Sequence, residues 1–141
     1  MHSDGMRDSF QIESVHGASK LEFTGVVPRG LQGYDGCEYL VRLSGGGVEA
    51  SETVYDIQPR RWADMFEELA KQWRGWDGEK MHESLEYQLK ISCAADRTGH
   101  VQLRVTLRGD MSGSSWRAED TLYVEAGQLD DVATRARAYF G

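Results

Sequence analysis

The sequence predicts an α+β fold, with an antiparallel sheet of about seven strands in the order ββββ-α-βββ-α and two helices packed on one face. Three segments carry this prediction. Apolar and polar residues alternate along 85–93 and along 101–108, and apolar residues recur at spacings of four, three and four along 62–73. A period of two is typical of strands that bury one face, and the longer period is typical of an amphipathic helix.

The two alternating segments belong to a predicted three-stranded meander. Residues 94–100 connect them through a short polar stretch that contains Gly99, which favours a hairpin. The third strand is predicted from Trp116 to Ala126, and Trp116 falls on its apolar face. It follows residues 109–115, whose Gly and Ser content predicts a flexible loop.

The N-terminal half has shorter apolar runs that predict four further strands. These strands contain Phe10 and Ile12, Leu21 to Val26, Glu38 to Leu43, and Val48 to Ile57. Three consecutive glycines, Gly45 to Gly47, predict the turn between the last two strands because glycine tolerates positive φ. Residues 28–36 are predicted to form a loop.

Two helices complete the prediction. The first is expected to begin at Pro59 and to end at Gly75, with a buried apolar stripe formed by Trp62, Phe66, Leu69 and Trp73. The second is expected to begin near Gln128 and to bury Leu129, Val132, Ala133, Ala136 and Phe140. Acidic residues in its first turn suit the positive end of the helix dipole.

Length and composition predict one domain over residues 1–141, with residues 1–8 as a flexible N-terminus. No apolar run approaches the roughly 20 residues of a membrane span. The first residues lack the basic and apolar regions of a signal peptide, so we expect a cytoplasmic protein. Cys37 and Cys93 have no CxxC spacing, which suits a reducing compartment, and both are predicted to be small core residues.

The charge is acidic and unevenly distributed. The net charge is −7, which disfavours direct binding to nucleic acid. Residues 64–86 hold seven acids and three bases, a net of −4, and residues 119–131 hold five acids and no base. Such windows can attract a basic partner or can simply keep the protein in solution, and both interpretations stay open.

The sequence predicts no catalytic residue, no cofactor and no metal site. Its four histidines are not paired at helical spacing, and it contains neither a phosphate-binding loop nor a nucleophile elbow. His82 is expected in a polar loop beside Glu83. His100 is expected in a solvated turn, and Glu79 and Glu83 are the most plausible carboxylate pair.

Residues 73–80, with the sequence WRGWDGEK, are the most distinctive segment. Trp76 lies outside the helical stripe, so it is either an interface anchor rimmed by charge or a ring that covers the open end of the core. Together with nearby acids it forms the predicted partner-binding set. That set is Asp64, Glu67, Glu68, Trp76, Asp77, Glu79 and Glu83.

Several short motifs resemble an uncharacterised family of small actinobacterial proteins. They are WRGWDGEK at 73–80, ESLE at 83–86 with Leu89, GHV at 99–101 with Leu103, and AGQL at 126–129 before the last helix. The arrangement is more distantly similar to the WapI-type immunity proteins, and it covers about residues 60–141. The resemblance implies a non-enzymatic protein that neutralises a toxin by binding it.

Three functional hypotheses follow. The first is an immunity or antitoxin module that binds a basic protein. The second is a small enzyme or ligand-binding domain with a pocket between helices and sheet, and a polar pocket holding His82, Glu79 and Glu83 would favour it. The third is an oligomerising scaffold that uses exposed strand edges. The sequence sets neither the partner nor the oligomeric state.

Overall fold

The computed structural model describes residues 9–25, 36–109 and 116–141. The expectations for residues 1–8, Val26, and the loops at 28–35 and 110–115 lie outside this range. The strands are β1 (Ser9–Glu13), β2 (Lys20–Thr24), β3 (Cys37–Gly45), β4 (Val48–Asp56), β5 (Lys80–Glu83), β6 (Leu89–Ala95), β7 (His100–Arg108) and β8 (Arg117–Glu125). The helices are α1 (Arg60–Lys71) and α2 (Leu129–Phe140), and a 3-10 turn at Ala126–Gln128 leads into α2.

The strands form two antiparallel sheets of four, in the orders β1-β2-β3-β4 and β5-β6-β7-β8. The α+β class is therefore confirmed, whereas the prediction of about seven strands in one sheet is wrong. The strand that the prediction missed is β5, which has only four residues and no alternation of apolar and polar side chains. Its antiparallel pairing with β6, not its local pattern, keeps it extended.

The strand predicted from Leu85 begins four residues later. Ser84 holds a tight turn, because its N–H donates to the Leu89 carbonyl at 2.9 Å and its hydroxyl accepts the Leu89 N–H at 3.1 Å. Tyr87 within this turn has a φ of 63°, a value that few side chains adopt. Leu85 is consequently exposed although the alternating pattern predicted it to be buried.

The inner faces of both sheets and the apolar sides of both helices form one core. Aromatic rings dominate the part between the first sheet and the helices. Phe23 on β2 lies within 5.2–6.4 Å of five other rings, measured between centroids: those of Phe10, Tyr39, Trp62, Tyr139 and Phe140. Such offset and edge-to-face pairs stabilise a core beyond the area that they bury.

The prediction placed both helices on one face of a single sheet, and the structure differs from it. They pack against each other; α2 contacts the first sheet, and α1 contacts both sheets. Phe10 on β1 stacks on Tyr139 of α2 at 6.4 Å, and Trp62 of α1 meets His82 on β5 at 4.4 Å. The helices therefore join the two sheets.

Two tryptophans predicted to be buried are exposed. Trp73 is 54% exposed because α1 ends at Lys71, and its ring lies 5.0 Å from the Arg74 guanidinium. Trp116 precedes β8 and is 40% exposed. In both cases the tryptophan lies just outside the helix or strand that was predicted to contain it.

Candidate functional site

A cleft with both polar and apolar lining residues opens between the end of β4, the start of α1 and the end of β5. Its volume is about 250 Å³, and its lining residues are Asp56, Ile57, Gln58, Arg61, His82, Glu83 and Leu85. We call it the Asp56 cleft. Titratable groups from three separate elements converge here, which is the usual property of a binding site.

Asp56 is the most buried of the charged residues in this cleft, with 5% of its surface exposed. Its Oδ2 atom accepts hydrogen bonds from the Tyr39 hydroxyl at 2.8 Å and from the Trp62 indole at 3.3 Å. The same indole N–H also lies 2.8 Å from the Tyr39 oxygen. The Oδ1 atom has no hydrogen-bond partner among the described residues. Within the described part of the chain, Oδ2 is thus fixed by two donors and Oδ1 is not.

His82 forms part of the cleft wall. It lies in β5 and not in the loop predicted from the sequence, and it is half-buried with its ring against the face of Trp62. Burial lowers the pKa of His82, and the positive charge of Arg61 adds to this effect, whereas Asp56 and Glu83 oppose it. The imidazole is therefore neutral at pH 7 and can accept a hydrogen bond.

The other two charged side chains that line the cleft are less buried than Asp56. Arg61 is exposed and Glu83 is half-buried, and neither forms an ion pair with any residue that the structure describes. The lining of the cleft contains two carboxyl groups, those of Asp56 and Glu83, and one guanidinium, that of Arg61. Its electrostatic field favours a cation over an anion.

The predicted partner-binding acids on α1 are mostly held by the chain itself. Arg137 of α2 donates to Asp64 at 2.6 Å and forms a bidentate pair with Glu67 at 2.7 and 2.9 Å. Glu68 accepts a hydrogen bond from Gln72 at 2.5 Å. Asp64 and Glu67 therefore join α1 to α2, and their charges are compensated before any partner arrives.

Replacing Arg137 with Gln is expected to lower the free energy of unfolding by at most about 1 kcal/mol at pH 7, because water screens exposed ion pairs. The Arg137 and Glu67 side chains are 35% and 42% exposed. The hydrogen bonds from Arg137 lower the pKa of Glu67 below 4.5 in the folded protein. This stabilisation is present above pH 4.5 and disappears as the pH falls through the folded-state pKa.

Urea unfolding at pH 7 and at pH 3 measures this effect. The difference between wild type and Arg137→Gln should be larger at pH 7. Arg97→Gln is the control, because Arg97 is exposed and has no ion pair within the described part of the chain. An Arg137→Gln effect that is equal at both pH values would show that Glu67 is not the partner that matters.

The remaining predicted site residues separate into two groups. Glu79 accepts the Ser92 hydroxyl at 2.6 Å and lies 3.5 Å from Arg104, outside the Asp56 cleft. Glu83 lies in the cleft, so the predicted carboxylate pair is not one site. Asp77 lies on the exposed turn before β5. Trp76 packs half-buried against the core, and its indole donates to the Cys93 carbonyl at 3.1 Å.

The outer side of β5 is an uncapped sheet edge. The Ser84–Leu89 hydrogen bond sets the alternation of the ladder, so the backbone groups of Met81 and Glu83 point away from β6. Within residues 9–25, 36–109 and 116–141 these groups have no hydrogen-bond partner. The Met81 side chain is also exposed. We call Lys80–Glu83 and its outward backbone groups the β5 edge.

The other three edge strands are each hydrogen-bonded by a distant part of the chain. The bonds are Arg135 Nη1 to the Gln11 carbonyl on β1 at 2.6 Å, Gln88 Nε2 to the Thr53 carbonyl on β4 at 2.9 Å, and the Val15 N–H to the Tyr123 carbonyl on β8 at 2.8 Å. Each of these bonds engages one outward backbone group and so protects part of its edge against strand addition. Among the described residues, nothing comparable engages the outer side of β5, which is short and has charged ends.

Both cysteines are unpaired and buried, as the sequence predicted. Burial raises the pKa of Cys37 to about 11 and that of Cys93 to about 12, so neither is a reactive thiolate at pH 7. The described residues contain no group of three potential metal ligands. Among them, neither 12-residue helix is long and apolar enough to traverse a bilayer.

Sequence reasoning missed Asp56 and Arg61, the two cleft residues that flank the start of α1. A signal was present for Asp56, since it continues the inward positions of β4 after Val54, where an apolar residue is expected. A carboxylate at such a position requires a special environment. For Arg61 the sequence offered no signal, because exposed arginines are common in the first turns of helices.

The protein is a small α+β protein in which two helices join two antiparallel sheets. Its Asp56 cleft is the candidate binding site. The chain belongs to DUF6228, a family of unknown function, whose model matches residues 12–141. No curated protein matches the chain, and no solved structure matches it.

Proposed function

We propose that this protein is a non-enzymatic binding protein whose β5 edge pairs with an extended, basic segment of another protein. The observation that supports this proposal is the pattern of edge capping. The outward backbone groups of Met81 and Glu83 have no partner among the described residues, whereas each of the other three edges has at least one outward group bonded by a distant part of the chain. An extended peptide can add to such an edge through main-chain hydrogen bonds.

The surroundings of the β5 edge favour a basic partner. Glu79 precedes this strand, Lys80 and Glu83 are its two ends, and Glu86 lies in the turn that follows, so acids outnumber bases by three to one. The whole chain has a net charge of −7. Exposed apolar side chains lie next to these acids at Met81, Leu85 and Tyr87. A segment that alternates lysine or arginine with apolar residues complements both properties.

We further propose that such binding has the role of an immunity protein, as the sequence motifs of residues 60–141 led us to expect. An immunity protein neutralises a toxin by occupying its surface. Toxins that cleave nucleic acid must be basic to hold their substrate, and an acidic protein attracts them. The proposed role is therefore that of a cytoplasmic antitoxin that binds a basic toxin, with no chemical step of its own.

A proline at Met81 tests the docking surface. The Met81 N–H points away from β6, so Met81→Pro removes a donor needed by an added strand and spares the ladder inside the sheet. The probe is a ten-residue peptide that alternates Lys and Val, followed by the backbone amide signals of β5 in NMR. We expect saturable binding to wild type and a loss of at least about tenfold in Met81→Pro, because the Met81 N–H no longer donates and the proline ring obstructs the added strand.

Two controls make this experiment decisive. Met81→Ala removes the side chain but keeps the N–H, so it should bind more tightly than Met81→Pro. A peptide that alternates Glu and Val should not bind. Equal binding of the acidic and basic peptides, or an unaffected Met81→Pro variant, would contradict the proposal. Rescue of growth from a basic toxin encoded beside this gene by wild type, and not by Met81→Pro, is the corresponding result in cells.

A second candidate is a ligand-binding domain, favoured by the convergence of Asp56, His82 and Glu83 in one cleft. Native mass spectrometry that finds a small molecule bound after purification would support it. Self-association through the β5 edge is the third outcome. Sedimentation would then show a wild-type dimer that Met81→Pro converts to a monomer.

A further inference from the structure

We propose that the Asp56 cleft is a binding site for a primary ammonium group on a short apolar stem. The carrier of this group is either a small amine or the side chain of a lysine in another protein. The inference depends on the cleft alone and stands whether or not the β5 edge binds a partner.

The chemistry of Asp56 selects a cation that makes a single hydrogen bond to it. Oδ2 accepts the Tyr39 hydroxyl at 2.8 Å and, more weakly, the Trp62 indole at 3.3 Å, so Oδ1 is the oxygen without a donor among the described residues. A guanidinium binds a carboxylate best through both oxygens, whereas an ammonium is a compact charge that needs one. The fixed Oδ2 therefore favours an ammonium over a guanidinium.

The rest of the cleft supplies what such a ligand requires. Neutral His82 offers an acceptor nitrogen, and Glu83 supplies a second negative charge. Ile57 and Leu85 offer apolar contacts to the methylene stem, and the exposed position of Leu85 makes this contact available. The cleft volume of about 250 Å³ accommodates a short alkyl chain but not a large cofactor.

Arg61 limits where a charged ligand can bind in the cleft. Its charge lies in the same cleft and would repel a cation placed beside it. The ammonium is therefore expected at the Asp56 end, and Arg61 is left to face solvent. An anion drawn to Arg61 would in turn approach Asp56 and Glu83, which disfavour it.

Three probes with short alkyl stems test the inference: n-butylammonium, n-butylguanidinium and butyrate. The readout is the NMR signal of the Trp62 indole N–H, which contacts Asp56 directly and is assigned with the Trp62→Phe variant. A hydrogen bond to a charged group contributes about 1.5–3 kcal/mol, so butylammonium should bind at least about tenfold more tightly than butyrate. Butylguanidinium should bind more weakly than butylammonium.

Matched variants locate the site. Asp56→Asn keeps the size of the side chain and removes the charge, and it should weaken butylammonium binding by at least about tenfold. Asp130→Asn removes the same charge from an exposed position on α2 and should have no effect. If Asp56→Asn is poorly folded, Glu83→Gln provides a second variant, for which a smaller loss is expected.

Two further ligands distinguish a small amine from a lysine side chain as the carrier of the ammonium group. Putrescine represents free amines, and Nα-acetyl-lysine amide represents a lysine side chain within a protein. Tighter binding of the first indicates a small-molecule site, and tighter binding of the second indicates a protein partner. Equal or better binding of butyrate, or unchanged binding in Asp56→Asn, would overturn the inference. Because these probes do not require a strand on β5, failure here and failure of the proposed docking are separate results.

Discussion

Replacing Trp62 with Ala is expected to lower the free energy of unfolding by about 3–5 kcal/mol, the usual cost of deleting a buried aromatic ring. Trp62 has no exposed surface, and its ring packs on Phe23 and on His82. Its indole also donates to Tyr39 and Asp56. The change therefore leaves a cavity and removes donors from buried oxygens. Urea unfolding followed by circular dichroism measures the loss.

Trp62→Phe separates the two contributions. Phenylalanine keeps a large ring but has no N–H, so most of the packing survives while Asp56 and Tyr39 lose a donor. An unsatisfied buried polar group costs about 1–3 kcal/mol, and we expect a loss in that range. If Trp62→Ala were no worse than Trp62→Phe, the ring would not be part of the core. If Trp62→Phe were neutral, the indole hydrogen bonds would not stabilise the fold.

The part of α1 that the sequence predicted correctly is the part decided by periodicity. Trp62, Phe66 and Leu69 repeat at helical spacing, and all three are buried. The prediction failed at the end of the helix, where Trp73 continues the same spacing but is exposed. Periodicity states which residues share a face if a helix continues. It does not state where the backbone stops being helical.

The strands show the same division between local pattern and tertiary pairing. The alternation along 101–108 predicted β7 correctly, because one face of that strand is buried along its whole length. The alternation at 85–88 was misleading, since Ser84 hydrogen-bonds to Leu89 and closes a turn there. β5 has no pattern to detect, and only its pairing with β6 defines it. The division into two sheets follows from pairings that the sequence does not encode locally.

The candidate site was the least predictable feature. Under the second hypothesis Glu79, Glu83 and His82 were expected to share a pocket, but Glu79 lies outside the Asp56 cleft. Asp56 and Arg61 were not connected with the other two because they are distant in sequence. The acids of α1 were predicted to face a partner. The bidentate pair between Glu67 and Arg137 joins residues 70 positions apart, which no local pattern reveals. Charge counting gave the correct net charge but not the compensation of individual acids.

Replacing Phe23 with Ala is expected to be as costly as the change at Trp62, at about 3–5 kcal/mol. Phe23 is fully buried on β2, and its ring meets Phe140 of α2 edge to face at 5.2 Å and 83°. It also meets Tyr39 and Trp62, which hold Asp56. Losing Phe23 should therefore loosen the packing of both α2 and the residues that hold Asp56. We expect the unfolding midpoint to fall and the NMR signal of the Trp62 indole N–H to broaden.

A double-mutant cycle with Phe23→Leu and Phe140→Leu isolates the contact itself, since leucine leaves less of a cavity and lets the double variant fold. Edge-to-face pairs contribute about 0.5–1.5 kcal/mol beyond buried area, and the coupling energy should fall in that range. Phe23→Leu combined with Tyr87→Ala, at an exposed turn, should be additive. A coupling energy near zero for Phe23 and Phe140 would mean that the surrounding rings, and not this pair, hold β2 and α2 together. Such a result is physically reasonable, because a ring that contacts five others can lose one contact and keep its position.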